Sequence, residues 1–252
     1  MVKVSLITIS LNSEKTIRRT IESVLEQDYS EIEYIIIDGN SKDETLKIVE
    51  SYGALISKII SEDDDGYYYA LNKGLKNISG DIVGILNSDD FFANKNIVSS
   101  VVELFSNKNL DIVWGDVVYQ DSNSKIKRFY KGKNITSDSF KFGLMPPHPS
   151  VFIRKYCYEK YGYFNTQYKF ADYDLLHRYI CIEKLNYMYT PKIQIRMETG
   201  GLSNNSIFST LKINKEIYLI HKNNGNPISL FKLFGKIPRR IFEIFNRPEK
   251  IK

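Results

Sequence analysis

No apolar run in this 252-residue chain approaches the roughly 20 residues that a membrane-spanning helix needs. Cysteine is nearly absent: Cys157 and Cys181 have neither a CxxC partner nor an adjacent histidine pair, so neither a disulfide framework nor a zinc centre is indicated. The two read as small core residues of a reducing compartment. The start, Met1-Val2-Lys3-Val4-Ser5-Leu6, carries no apolar leader core or small-residue cleavage site, so the cytoplasm is the expected location. Leu11-Asn12-Ser13-Glu14-Lys15, after the first apolar run, has no glycine and therefore no Gly-rich phosphate loop. The body also lacks excess charge. The formal +5 lies within residues 228–252, where Lys232, Lys236, Arg239, Arg240, Arg247, Lys250 and Lys252 face only Glu243 and Glu249. A nucleic-acid-binding body is excluded on that ground.

The apolar content of 42% is enough for one large core with a helical appendage. Short β-branched runs alternate with helical spacing: strands at Val4–Leu11, Tyr34–Ile37, Leu55–Ile60 and Ile82–Leu86, helices at 14–27, 41–52, 68–75 and 97–105. Ser41-Lys42-Asp43-Glu44 has the form of a capping box for the second helix. Strands separated by helices require crossovers, hence a mostly parallel sheet flanked by helices. Asp111–Tyr119 adds a strand; 122–133 is polar and basic, and Met145-Pro146-Pro147-His148-Pro149 is not helix interior. Helices follow at 172–182 and 207–221, separated by the low-bulk loop Thr199–Ser203. Trp114, the only tryptophan, reads as core.

Three acidic turns fall at strand ends: Asp38-Gly39-Asn40-Ser41-Lys42-Asp43, Asp63-Asp64-Asp65-Gly66 and Asn87-Ser88-Asp89-Asp90. In open α/β sheets ligands bind outside the carboxyl ends of the strands, so carboxylates gathered there are candidates for a metal and a nucleotide sugar ring.

Taken in order, these strings resemble the family 2 glycosyltransferases, inverting enzymes of the GT-A nucleotide-diphosphosugar fold, and within them the subgroup that builds bacterial surface polysaccharides. The resemblance covers roughly residues 3–205: Asp38–Thr45 fits DGxSxDxT, Ser61–Gly66 with Ala70–Gly74 fits a subgroup stretch, Asn87–Asp90 occupies the DxD place, and Ala171-Asp172-Tyr173-Asp174-Leu175 the acidic place of the base. Asn87 stands at the first DxD position, and Tyr69 where the subgroup often has Asp.

The resemblance implies a GT-A domain over residues 1–205 with a basic amphipathic helical extension over 206–252. It implies Asp172 as the base, with Asp174 as second choice. Asp89 and Asp90 would hold Mn2+ or Mg2+; Asp38, Asp64, Lys73 and Asp89 would hold the donor; His148, Arg178 and Asp174 are candidates for acceptor or phosphate contacts. The donor would be a UDP- or dTDP-sugar and the acceptor a polyprenyl-diphosphate-linked glycan of polysaccharide or O-antigen synthesis. The extension, with Phe231, Leu233, Phe234, Ile237, Ile241, Phe242 and Phe245 among its cations, would contact the inner-leaflet membrane surface. Alternatives are a nucleotidyltransferase and an inactive nucleotide-sugar-binding module.

Overall fold

The computed structural model describes residues 1–121, 123–133, 135–198 and 207–235, so the Thr199–Ser203 loop and most of the basic tail lie outside the described residues. The chain begins with β1 (Val4–Ser10), α1 (Ile17–Leu25), β2 (Ile32–Asp38), α2 (Thr45–Glu50), β3 (Lys58–Ser61), α3 (Tyr67–Leu75) and β4 (Ile82–Ile85). The four strands run parallel in the order β3-β2-β1-β4, as crossover helices demand. Side chains alternate between two layers. Ile7, Ile35 and Ile37 join Leu71 and Leu75 of α3 on one face, while Leu6, Tyr34 and Ile36 join Ile17 and Ile21 of α1 on the other. Burial on both faces explains why these strands read as continuous apolar runs. Helix α3 lies so close that a Cβ at Gly74 would come within 2.8 Å of the Ile7 side chain.

The second half is β5 (Asp90–Phe92), α4 (Ile97–Asn107), β6 (Ile112–Gln120), β7 (Ile126–Tyr130), α5 (Ser137–Phe140), β8 (Phe152–Arg154), α6 (Lys155–Tyr161), α7 (Ala171–His177), β9 (Tyr187–Glu198) and α8 (Ile207–Asn223). The sheet continues β4-β8-β6-β9-β5, with β7 on β6, and its pairings here are antiparallel except β6 with β9. The polar and basic 122–133 stretch thus contains a strand. Trp114 is buried, its indole N–H bonded to the Gly132 carbonyl at 3.1 Å, and Cys157 is buried while Cys181 is only half-buried.

Three boundaries differ from the sequence reading for local reasons. Gly53, at φ +52°, opens a 3-10 turn through Leu55, which delays β3 to Lys58. Ser41 does not cap α2, because its hydroxyl is taken by Asp38; Asp43 instead accepts the Thr45 N–H at 3.0 Å. The helix expected at 172–182 begins as α7 and loosens into a π-helical turn over Arg178–Ile182. From the C-terminal segments, Ile217, Ile220 and Leu233 bury in the same core as Leu175 and Tyr179. Among the described residues, no helix is long and apolar enough to cross a membrane.

Candidate active site

The carboxyl ends of β1, β2 and β4 open onto a cleft of about 830 Å³ bordered by the 10–16 turn, Gly39, Asp64, Tyr67, Asn87, Ser88 and Asp89. That size suits a nucleotide-sized ligand. A narrower, largely apolar space of about 50 Å³ lies beside it, lined among others by Leu71, Ile85, Phe164, Leu176 and Asp172. Tyr67, Asn87 and His148 line both.

Asp38 has a different task from the donor contact expected of it. The register sets Ser10, Asp38 and Ser61 side by side at the ends of β1, β2 and β3. The Asp38 carboxylate is fully buried and accepts from Ser10 Oγ (3.1 Å), Ser41 Oγ (2.5 Å), Ser41 N (2.9 Å) and Ser61 Oγ (2.8 Å). With four donors it has no oxygen left for a ribose or base; it clasps three strand ends and shapes the turn that borders the cleft.

Lys73 is likewise committed. Its ammonium lies 2.7 Å from Asp64 and 2.6 Å from Glu62, so it neutralises these carboxylates rather than standing free for a diphosphate. Asp64 lines the cleft, and its buried Oδ2 has no hydrogen-bond partner. An N–H donor from a ligand would satisfy it.

At the third turn the two aspartates separate. Asp89 is partly exposed and lines the cleft, whereas Asp90, the first residue of β5, is fully buried behind it. Asn87 Nδ2 donates to Asp90 Oδ2 at 3.0 Å, and Asn87 Oδ1 accepts the Tyr67 hydroxyl at 2.6 Å. Asp90 Oδ1 has no partner. Burial, and then the charge of Asp89, push the Asp90 carboxyl well above the usual carboxylate range. A divalent cation would relieve both the orphaned oxygen and the like-charge repulsion. Two carboxylates and a substrate's phosphate oxygens are a donor set that Mg2+ and Mn2+ accept, so the residues fit the metal. Among the described residues, no group of three or more His, Cys, Asp or Glu side chains forms a ready-made metal cage.

Asp172, in the first turn of α7, is 14% exposed at its side chain. Its Oδ1 accepts the Tyr68 hydroxyl at 3.0 Å, and its Oδ2 lies 3.2 Å from His148 Nδ1. Burial and then the Asp172 charge raise the Tyr68 phenol above its ordinary value, which keeps it a donor. Asp174 turns the other way. It is buried, bonded by Arg178 Nε at 3.0 Å and by Asn224 Nδ2 at 3.0 Å. The remaining Arg178 nitrogens hold the carbonyls of Tyr161, Gly162 and Tyr163. Asp174 and Arg178 are therefore an internal clasp between α7 and the 161–163 turn, not acceptor contacts.

Two site residues escaped the sequence reading. Tyr67 and Tyr68 stand at the start of α3 directly after the 63–66 turn, and only their placement there signalled them. Tyr69 is exposed and lines neither space.

An α/β sheet with a carboxylate-bordered cleft at its strand ends defines a nucleotide-binding class of fold. The model of glycosyl transferase family 2 matches residues 5–183, and the chain belongs to that family. It is 30% identical over 179 residues to an uncharacterized glycosyltransferase of Mycobacterium tuberculosis, the match covering 67% of this chain and 64% of that protein, so it spans less than two thirds of that relative's length. To a PGL/p-HBAD biosynthesis glycosyltransferase of Mycobacterium bovis it is 28% identical over 207 residues, covering 79% of this chain and 78% of the other. Staphylococcus aureus TarS 1–349, solved with UDP-GlcNAc, shares the fold at a TM-score of 0.67 and 18% identity, over 95% of this chain and 72% of that one. The mannosyltransferase PcManGT of Pyrobaculum calidifontis, solved with GDP-Man and Mn2+, aligns at a TM-score of 0.65 and 14% identity, over 92% of this chain and 67% of that one. The GT-A architecture expected from the sequence is thus present.

Proposed function

We propose that this chain is an inverting, metal-dependent glycosyltransferase that moves a sugar from a UDP- or dTDP-type donor to a glycan acceptor carried on a polyprenyl diphosphate, in bacterial surface polysaccharide synthesis of the O-antigen kind. One observation carries the reading: the cleft with Asp89 and the space with Asp172 meet at Tyr67, Asn87 and His148, so a donor and an acceptor bound on either side would meet there.

Asp64 and the 10–16 turn would hold the nucleoside. Asp89, with Asp90 behind it, would hold Mn2+ or Mg2+, which when bound offsets the charge of the departing diphosphate. Asp172 takes the proton of the acceptor hydroxyl while that oxygen attacks the anomeric carbon from the face opposite the diphosphate. One carboxylate suffices for a single displacement. The described part of the C-terminal extension packs on the domain through Ile217, Ile220 and Leu233. Its cations, seven between residues 228 and 252, would still attract an anionic inner leaflet, each contributing about 1 kcal/mol near the surface. The reading places the enzyme in the cytoplasm, peripheral to that membrane.

The test is release of nucleoside diphosphate from a panel of UDP-, dTDP- and GDP-sugars, with Mn2+ and a bacterial polyprenyl-lipid extract as acceptor. Acceptor-stimulated release from one UDP- or dTDP-sugar is expected. Silence across the panel contradicts the reading, and release only from GDP-sugars contradicts the donor assignment.

A further inference from the structure

His148 sits at the junction of the two spaces on a backbone that leaves it little freedom. It opens the 3-10 turn His148–Ser150 between Pro147 and Pro149, whose rings fix φ on either side. The buried Ser150 hydroxyl ties this turn to the Pro147 carbonyl at 2.8 Å and to the Gly115 carbonyl at 3.0 Å. From that anchored loop the imidazole reaches Asp172 Oδ2 with Nδ1 at 3.2 Å. A hydrogen bond between them requires the hydrogen on Nδ1, because an ionised carboxylate only accepts. Tyr68, from α3, supplies the matching donor on Oδ1 at 3.0 Å. The two Asp172 oxygens thus face side chains from two different elements, the Tyr68 hydroxyl bonded to Oδ1 and the His148 imidazole beside Oδ2, and His148, at 42% side-chain exposure, also lines the cleft.

We propose that His148 is a positioning residue for the transfer. Its Nδ1–H, opposed by the Tyr68 hydroxyl, locks the Asp172 carboxylate so that a free lone pair on Oδ2 faces the incoming acceptor. The inference rests on Asp172 being the base. In the step, the acceptor O–H bond breaks and its proton passes to Asp172 Oδ2. The oxygen's electron pair forms the new bond to the anomeric carbon, whose bond to the diphosphate oxygen breaks with its electrons leaving on the diphosphate. His148 keeps its own proton throughout. Holding a reacting group in line governs rate, and a misplacement of ~1 Å costs on the order of a hundredfold.

Two measurements on the full-length enzyme test this. The first needs no activity. The chain has three histidines, so 15N-resolved imidazole spectra are assignable by single substitution. At pH 8 His148 is expected as the Nδ1–H tautomer, reverting to Nε2–H in Asp172→Ala, because the partner of one ring nitrogen sets which carries the proton. An Nε2–H tautomer in the wild type overturns the proposal. The second is kcat for UDP release from UDP-glucose with Mn2+, water serving as acceptor if no other is supplied. His148→Ala is expected to lower kcat by roughly thirty- to a hundredfold with KM for UDP-glucose unchanged. His148→Asn, which keeps an N–H near the Nδ1 position, is expected to recover it to within a few-fold. Full kcat in His148→Ala overturns the inference; so does His148→Asn as slow as His148→Ala. Asp172→Asn in parallel separates the two levels. Retained turnover there removes the base assignment, whereas a dead Asp172→Asn beside a fully active His148→Ala removes only the role of His148.

Discussion

Asp172 and Asp174, two residues apart in α7, face opposite sides of the helix: Asp172 meets His148 at 3.2 Å beside the cleft, and Asp174 meets Arg178 at 3.0 Å in the interior. Two residues turn a helix through about 200°, so one acidic motif sends one carboxylate toward the cleft and one into the interior. The two substitutions should therefore fail differently. Asp172→Asn is expected to lower transfer by about two to four orders of magnitude with little change in the urea midpoint. Asp174→Ala leaves the half-buried Arg178 guanidinium without its carboxylate and should cost about 1–3 kcal/mol of stability, while the folded fraction still turns over. The reverse pattern would move the base to Asp174.

Asn87 holds Asp90 by a hydrogen bond of 3.0 Å, so the residue that departs from the DxD pattern has a structural reason to be an amide. Asn87→Asp removes that donor and sets a further negative charge beside a buried carboxyl. It should lower stability by about 1–3 kcal/mol in EDTA, with part of the loss restored by millimolar Mn2+. Melting curves with and without metal measure this, and an unchanged melt in EDTA would contradict it.

Asp38→Ala deprives three serine hydroxyls of a shared buried acceptor. A loss of about 3 kcal/mol is expected, read from urea unfolding. Weakened nucleotide affinity at wild-type stability would instead return Asp38 to direct donor contact.

Stability should also decline in mild acid. His177 and His221 are buried with ring centroids 4.1 Å apart; burial first, then the charges of His221 and Arg178, push His177 from 6.5 down to about 3, and burial lowers His221 as well. Where the folded pKa lies below the unfolded one, the unfolded chain binds more protons between the two. The contribution of His177 is complete above about pH 6.5 and is lost as pH falls toward 3. The urea midpoint is expected to drop between pH 7.5 and 5, and His177→Leu should flatten that drop. Equal slopes in both proteins would contradict the assignment.

What was legible in the sequence follows from what each residue depends on. β1, β2 and β4 announced themselves because strands buried on both faces are unbroken apolar runs. The three-residue strands β5 and β8 are too short to show a period, and β7 has a single buried residue, Ile126, among half-buried ones. Motif order picks out Asp89 and Asp172 as candidates, since strand and helix starts are local, and the structure sets them on the two adjoining spaces. The clasp roles of Asp38, Lys73 and Arg178 were not, because their partners arrive through register and helix packing. Likewise, nothing local to Pro147-His148-Pro149 tells that its imidazole meets a carboxylate on α7.

The most direct test of the account is calorimetric titration of UDP, dTDP and GDP into the wild type, Asp89→Ala and Asp172→Asn, each with Mn2+ and with EDTA. UDP or dTDP is expected to bind the wild type and Asp172→Asn alike with Mn2+, and at least about tenfold more weakly in EDTA or in Asp89→Ala, a difference of about 1.4 kcal/mol. Binding that ignores both EDTA and the loss of Asp89, or no binding by any of the three nucleotides, would contradict it.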